Sequence, residues 1–205
     1  MSSRRFPLFD APLELARTDE AGQCDFCGRF DDVRFDRACF ECFRAGKPDR
    51  TMMTELGMVR REDAERGLTH GLPLAAPDEL PGWELVAHPV DANFPNENWY
   101  SVRVEPAELR ELLRTPKYHS WQGVTWLFCC KKAMVFTGEL ALEPLRRRAG
   151  ETGRSPEELV AELLGSDGGP FDGEELLERI EAQRLSTYSF VCRSCGKLRA
   201  YYDMD

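Results

Sequence analysis

The stretch CDFCGRFDDVRFDRACFEC, residues 24–42, holds two CxxC pairs, Cys24/Cys27 and Cys39/Cys42, separated by eleven residues. It restricts the fold more than any other part of the chain. Thiols spaced in this way are disulfide halves, a redox dithiol or the corners of a metal site. The first option fails on context. The opening MSSRRFPLFDAPLELARTDE is interrupted by prolines and acids and lacks the apolar stretch of a secretory signal. No run approaches the length of a membrane-spanning helix. The chain therefore reads as cytoplasmic, where thiols stay reduced, and eight cysteines argue against a disulfide framework. The redox option fails on pattern, because a thioredoxin-like dithiol opens a helix after a strand and does not face a second pair.

The metal reading fits each local segment. Gly28 suits a tight turn that brings backbone N–H groups toward two thiolates. RFDDVRFDRA (29–38) reads as a hairpin with Asp31–Asp32 as its turn and Val33 and Phe35 alternating with charged residues. Cys39 and Cys42 stand one helical turn apart, where CFECFRAG begins a helix. Cys24, Cys27, Cys39 and Cys42 are thus expected to hold a structural Zn2+ in a treble-clef-like module of residues 1–50. The alternative is a set of free buried cysteines.

A third pair, Cys192 and Cys195 followed by Gly196, lies between the strand-like runs LSTYSFV and KLRAYYD. Tyr188 and Phe190, then Leu198, Ala200 and Tyr202, alternate with polar neighbours, which predicts a hairpin with the CxxC as its turn. The last two cysteines, Cys129 and Cys130, sit in GVTWLFCCKKAMVFTG, one strand or two strands turning at Lys131–Lys132. Neighbours on a strand face opposite sides, so Cys129 or Cys130, but not both, is expected to join Cys192 and Cys195. A second Zn2+ there would have three sulfurs and a histidine or water. The alternative is a zinc-free hairpin with both cysteines in the core.

RTPKYHSWQGVTWLFCC (114–130), the CxxC pairs and the ending TYSFVCRSCGKLRAYYDMD resemble the CbrC family of colicin tolerance proteins. That family's pattern runs through a Thr-Pro-Gly-Tyr turn, a Trp-Gln pair, a Trp-Leu-x-His-Cys strand and a C-terminal aromatic-x-Cys-x-x-Cys-Gly. Tyr118, Trp121, Gln122, Trp126, Leu127, Cys130, Cys192, Cys195 and Gly196 fall on its positions. FPLFDAPLE matches the family's Phe-x-Tyr-His-Pro-Asp-Pro opening loosely, and Cys129 stands where the family has histidine, an exchange that a metal-ligand position tolerates. The resemblance implies tolerance or immunity toward a bacterial toxin rather than a named reaction.

The remaining chain, 51–205, reads as an α+β domain. Residues 43–80 are polar and helical in part, with GLPLAAPDELPG as a boundary. A central antiparallel sheet is expected from residues 83–137 and 186–202, flanked by helices 105–115, 156–165 and 173–184. Pro106 starts the first helix, which buries Leu109, Leu112 and Leu113. Ser155 and Glu158 form a capping box for the second, with Pro156 at its first position. Leu176, Leu177 and Ile180 are the buried face of the third.

Charge is concentrated. Of the net −9, most falls between Pro156 and Glu181: Glu157, Glu158, Glu162, Asp167, Asp172, Glu174, Glu175, Glu178 and Glu181 against one base, Arg179. This is either a solvated helix face or a surface for a basic partner such as a nuclease-type toxin domain. The basic stretch LRRRAGETGR (145–154) is expected to pair with these helices or to cap a helix C-terminus rather than to bind phosphates. On that reading Glu157, Glu158, Glu174, Glu175 and Glu178 face the partner, and Trp99 is an exposed aromatic anchor. Direct nucleic-acid binding is disfavoured, since a binder displays a basic stripe.

Enzyme signatures are missing. His70, His88 and His119 are followed two residues on by Leu72, Val90 and Trp121, not the glutamate of a zinc deaminase. There is no HExxH, GxSxG or phosphate-binding glycine loop. Trp83, Phe94, Trp99, Tyr100, Tyr118, Trp121 and Trp126 form a core cluster or line a pocket. The chain is thus expected to be a non-enzymatic, zinc-binding immunity protein. The alternatives are a zinc hydrolase using a three-cysteine C-terminal site and a nucleic-acid-binding zinc protein.

Overall fold

The computed structural model describes residues 5–89, 97–164 and 171–204. Phe94, Asp167 and the 91–96 part of the loop leading to Tyr100 lie outside them. The N-terminal part runs through β1 (Gly22–Gln23), β2 (Phe30–Asp31) and α1 (Phe40–Arg44) to the hairpin β3 (Met52–Thr54) and β4 (Gly57–Val59), then α2 (Arg61–Glu65). The middle contains β5 (Leu72–Pro73), β6 (Leu85–Ala87), β7 (Trp99–Val102), α3 (Pro106–Leu113), β8 (Phe128–Cys129), β9 (Lys132–Ala133) and β10 (Val135–Gly138). Three helices follow, α4 (Leu142–Thr152), α5 (Pro156–Leu164) and α6 (Gly173–Glu181), and then the strands β11 (Leu185–Val191) and β12 (Leu198–Met204).

The helices form where their caps are written. Pro106 opens α3, whose Leu109 and Leu112 are fully buried. Glu158 N–H donates to Ser155 Oγ (3.2 Å) and Ser155 N–H to the Glu158 carboxylate (3.1 Å), the reciprocal pair of a capping box. Asp172 caps α6 by accepting from Glu175 N–H (2.9 Å). The basic stretch lies largely on a helix of its own, α4, which ends where Gly153 turns left-handed at φ 68°. Arg146 pairs with Glu181, and Arg154 with Glu158 and Glu162, so the basic segment does meet the acidic helices.

Among the described residues the strands do not form one central sheet. They form two three-stranded antiparallel sheets, ordered β10-β11-β12 and β5-β7-β6, together with the two-stranded ladders β1-β2, β3-β4 and β8-β9. Pieces of two to four residues, interrupted by Pro and Gly turns, are too short to share edges across the whole domain.

The β11-β12 hairpin is as expected, with Val191 opposite Leu198 across the CxxC turn. Its two apolar sets face opposite ways. Tyr188 and Phe190 pair with Tyr201 and Arg199 and pack with Tyr118, Trp126 and Phe136 in the main core. Leu198, Ala200 and Tyr202 face a second core built from Leu145, Ala149, Leu159, Val160, Leu164 and Leu176 of α4–α6. The main core runs through residue 50 without a break, since Phe6, Phe35 and Phe43 belong to the same cluster as Tyr118, Trp126 and Phe190.

One polar group organises this core's edge. The carboxylate of Asp203, 3% exposed, accepts from Tyr188 Oη (3.0 Å), Ser120 Oγ (2.8 Å) and the N–H groups of Trp121 (2.9 Å) and Gln122 (3.0 Å). Burial, with Asp203 beside it, pushes the Tyr188 phenol up to about 12. Asp203→Ala strands several donors at once and is expected to cost about 3 kcal/mol, lowering Tm by roughly 6–12 °C for a chain of this size. Asp203→Asn keeps an acceptor oxygen and is expected to cost about a third of that; calorimetric melting of the two variants checks the order.

Candidate metal centres

Both CxxCG turns are built alike. Cys24 N–H donates to Arg29 O (2.8 Å) and Gly28 N–H to Cys24 O (2.9 Å). In the C-terminal turn Cys192 N–H donates to Lys197 O (2.9 Å) and Gly196 N–H to Cys192 O (2.9 Å). Gly28 and Gly196 adopt φ of 72° and 70°, which a residue with a Cβ enters only at a cost. In each turn an N–H also points at the first sulfur, Phe26 at Cys24 and Ser194 at Cys192, both at 3.4 Å.

The facing ligands come from left-handed two-residue turns. In the first centre Phe35 and Ala38 exchange backbone hydrogen bonds of 2.9 and 3.0 Å across Asp36–Arg37, which take φ of 46° and 63°. The hairpin turn therefore lies there and not at Asp31–Asp32. Asp31 instead bridges β2 to α1, accepting from Val33 N–H (3.4 Å) and Phe40 N–H (3.3 Å). Cys39 is the N-cap of α1 and Cys42 lies within it.

In the second centre Cys129 pairs with Lys132, so the turn is Cys130–Lys131, with φ of 52° and 60°. It falls one residue before the expected Lys131–Lys132. Strand alternation stops at Cys129, and the left-handed Cys130 swings its sulfur back to the same side. The expectation that only one of the two cysteines reaches Cys192 and Cys195 is overturned: the Sγ atoms of Cys129, Cys130, Cys192 and Cys195 all lie within 4.8 Å of one another, as do those of Cys24, Cys27, Cys39 and Cys42.

The donor sets fit a tetrahedral ion. All eight cysteines are free, with Cys27 and Cys39 sulfurs 3.7 Å apart, Cys129 and Cys130 3.8 Å, and Cys129 and Cys195 3.6 Å. A tetrahedron with metal–sulfur bonds of about 2.3 Å has edges of about 3.8 Å. The electrostatics also call for a cation. Burial raises the Cys24 and Cys192 thiols, but backbone hydrogen bonds outweigh it and bring them to about 6 and about 7. Burial and then the neighbouring thiols push Cys42 and Cys129 up to about 12. One sulfur in each set thus favours the thiolate while another resists it, and a divalent ion removes the conflict.

Two carboxylate–arginine clamps hold the second centre's halves together. Glu55 accepts from Phe128 N–H (2.6 Å) and grips Arg199 through both oxygens (2.7 and 2.8 Å), while Arg199 also donates to Phe128 O (2.7 Å). Glu108 of α3 accepts from Ala133 N–H (3.2 Å) and from Arg193 (2.8 Å). In the first centre the corresponding tie is Arg44 of α1, paired bidentately with Glu111 of α3 at 2.6 and 3.0 Å.

The residues expected to contact a partner are more varied than their sequence run suggests. Glu158 is occupied by Ser155 and Arg154, and Glu175 by Arg179 (2.8 Å). The Ser155 hydroxyl holds the Glu157 carboxyl below the usual range. Glu174 and Glu178, one turn apart and exposed, have no partner among the described residues. Trp99 is half-buried and donates to Glu97 (2.9 Å). The tryptophan that stands out is Trp121, 79% exposed, although the sequence groups it with the core aromatics. Trp126 and Tyr118 are buried completely, and Trp83 packs edge-on against Phe128. Sequence reasoning misses Trp121 because its exposure comes from hydrogen bonds to Asp203, more than eighty residues away in the chain.

The fold and its sites define a mixed α and β chain with two tetracysteine groups, each able to hold a metal ion. The chain belongs to the uncharacterised protein family UPF0167, whose match spans residues 83–204. That span includes the whole second centre and Asp203 and leaves out the first. The UPF0167 protein PA1536 of Pseudomonas aeruginosa is 32% identical over 94 residues, covering 45% of this chain and 48% of that protein. The alignment thus spans about half the length of that curated relative. No solved structure matches the chain. Among the described residues no helix is long and apolar enough to cross a membrane.

Proposed function

We propose that this is a zinc protein whose two four-cysteine centres are structural and whose role is to bind a basic protein partner. The first centre has the plan of a treble clef, a CxxC turn facing a helix N-terminus, and the second that of a zinc knuckle held against a β-turn. Zinc suits soft four-sulfur tetrahedra. The observation that carries the reading is Cys130: with four sulfurs converging at the second centre, a bound zinc keeps no position for water. That argues against the hydrolase alternative, which needs an open site. Each zinc with four thiolates adds about two negative charges to an already acidic chain, which works against nucleic-acid binding.

The resemblance to the CbrC family makes the partner a bacterial toxin domain, neutralised by occlusion. Glu174 and Glu178 repel each other at i,i+4 spacing, a cost that an incoming cationic surface reverses. Partner capture from native lysate followed by association kinetics tests the reading. Glu174→Lys with Glu178→Lys is expected to slow association about tenfold at low salt and flatten its salt dependence, with metal content and melting unchanged. An unaltered rate at low salt would make these helices a solvated face.

A further inference from the structure

A cavity of about 380 Å³ opens beside the Trp121 loop, lined among others by Leu15, Arg17, His119, Trp121, Phe136 and Glu139. Its lining carries charged groups of both signs. Arg44, Arg103, Arg179 and Arg199 each sit against a carboxylate at 2.6–2.8 Å. Arg17 and Glu139 both line this cavity, neither side chain has an ion-pair partner among the described residues, and they do not pair with each other. Leu15 and Phe136 supply an apolar floor. Trp121 supplies an exposed aromatic wall, and it is not a floppy one. Its own N–H and that of Gln122 are fixed on the buried Asp203 carboxylate, as is Ser120 Oγ, which in turn accepts from Gly123 N–H (3.0 Å). The loop is thus held in place whether or not anything covers the indole.

We propose that this cavity binds a small zwitterion with the chemistry of an α-amino acid, its carboxylate on Arg17, its ammonium on Glu139 and its side chain against Trp121. A cation and an anion that line one cavity, each without an ion-pair partner, are matched by a ligand that carries both charges. An anion alone would leave Glu139 opposed to it, and a cation alone would leave Arg17 so. The volume lies at the small end of ligand pockets, which suits a metabolite of that size. Recognition of this kind is charge-assisted at both ends and apolar between them. It is independent of the metal centres.

The test is a calorimetric titration of the metal-loaded full chain with the standard amino acids up to about 10 mM, ten times a millimolar dissociation constant. Tryptophan emission is recorded in parallel. One or more amino acids are expected to bind with a change in emission that Trp121→Phe abolishes. Their N-acetyl and carboxamide derivatives, each lacking one charge, are expected to bind at least tenfold more weakly. Arg17→Gln and Glu139→Gln are expected to weaken binding by a similar factor; both side chains are exposed and unpartnered, so melting should not move. Absence of binding across the panel overturns the proposal. So does binding that survives both Gln substitutions, or an N-acetyl derivative that binds as well as its parent.

Discussion

Cys39→Ser is expected to abolish binding of the metal ion proposed at the first centre and, with it, the cooperative melting transition of the chain. The magnitude follows from comparing two energies. A structural zinc contributes about 10–16 kcal/mol of apparent binding free energy at neutral pH, against a total folding stability of about 5–15 kcal/mol for a domain. The first centre is tied to α3 by the Arg44–Glu111 pair, but its own elements are short. Cys24 and Cys27 lie in the turn between two two-residue strands, and Cys39 and Cys42 lie at the N-cap of and within a five-residue helix, elements too short to persist alone. Phe35, between the two CxxC pairs, and Phe43, next to Cys42, pack with Phe6 at ring distances of 5.2 and 5.9 Å and belong to the main core. Loss of the ion therefore opens the core and does not merely fray a terminus. Metal analysis together with circular dichroism on heating checks this, and a chelator strong enough to strip the first centre should reproduce it. A Cys39→Ser protein that keeps both its metal content and its melting temperature would show that the four sulfurs meet without a structural ion.

How much of this was legible in the sequence depended on whether the determining interactions were local. The caps of α3, α5 and α6 are written within four residues of one another, in Pro106, in Ser155 with Glu158 and in Asp172, and those helices fall where periodicity predicts. The CxxCG turns are equally local, because glycine announces the left-handed residue that closes each. The left-handed turns at Asp36–Arg37 and Cys130–Lys131 carry no such mark. Asn-Gly or Asp-Gly is the usual signal at these positions, and here ordinary residues adopt positive φ because the rest of the structure holds them there. The one-residue displacement of the Cys130–Lys131 turn from its expected place changes the ligand count of the second centre. Helix α4 carries Pro144 and Gly150, residues that weaken a helical pattern, and a run of three arginines, so periodicity does not announce it. The division into small sheets was not legible either, since pairings such as β5 with β7 join segments separated by more than twenty residues and are chosen by packing.

Cys130→Ser is the substitution on which the reading of the second centre turns. If Cys130 is the fourth ligand, serine leaves three sulfurs, and affinity for that ion is expected to fall by more than about a hundredfold, since even outer-shell changes cost 10–100-fold. Bound metal should drop from about two ions per chain to about one after dialysis against a competing chelator. The fold should survive better than in Cys39→Ser. The Glu55–Arg199 and Glu108–Arg193 clamps still join the β8-β9 turn to the β11-β12 hairpin, and the seven-residue strands β11 and β12 are packed on both faces. Loss of protection should concentrate in amide exchange at residues 128–133 and 191–198. Cys130→His supplies the complementary test, because three cysteines with one histidine make an ordinary zinc site and histidine enters the left-handed region more readily than most residues. It is expected to retain the second ion where serine loses it. Two metals retained in Cys130→Ser would instead make Cys130 a bystander, leave the ion a position open to water, and return the hydrolase reading to the front.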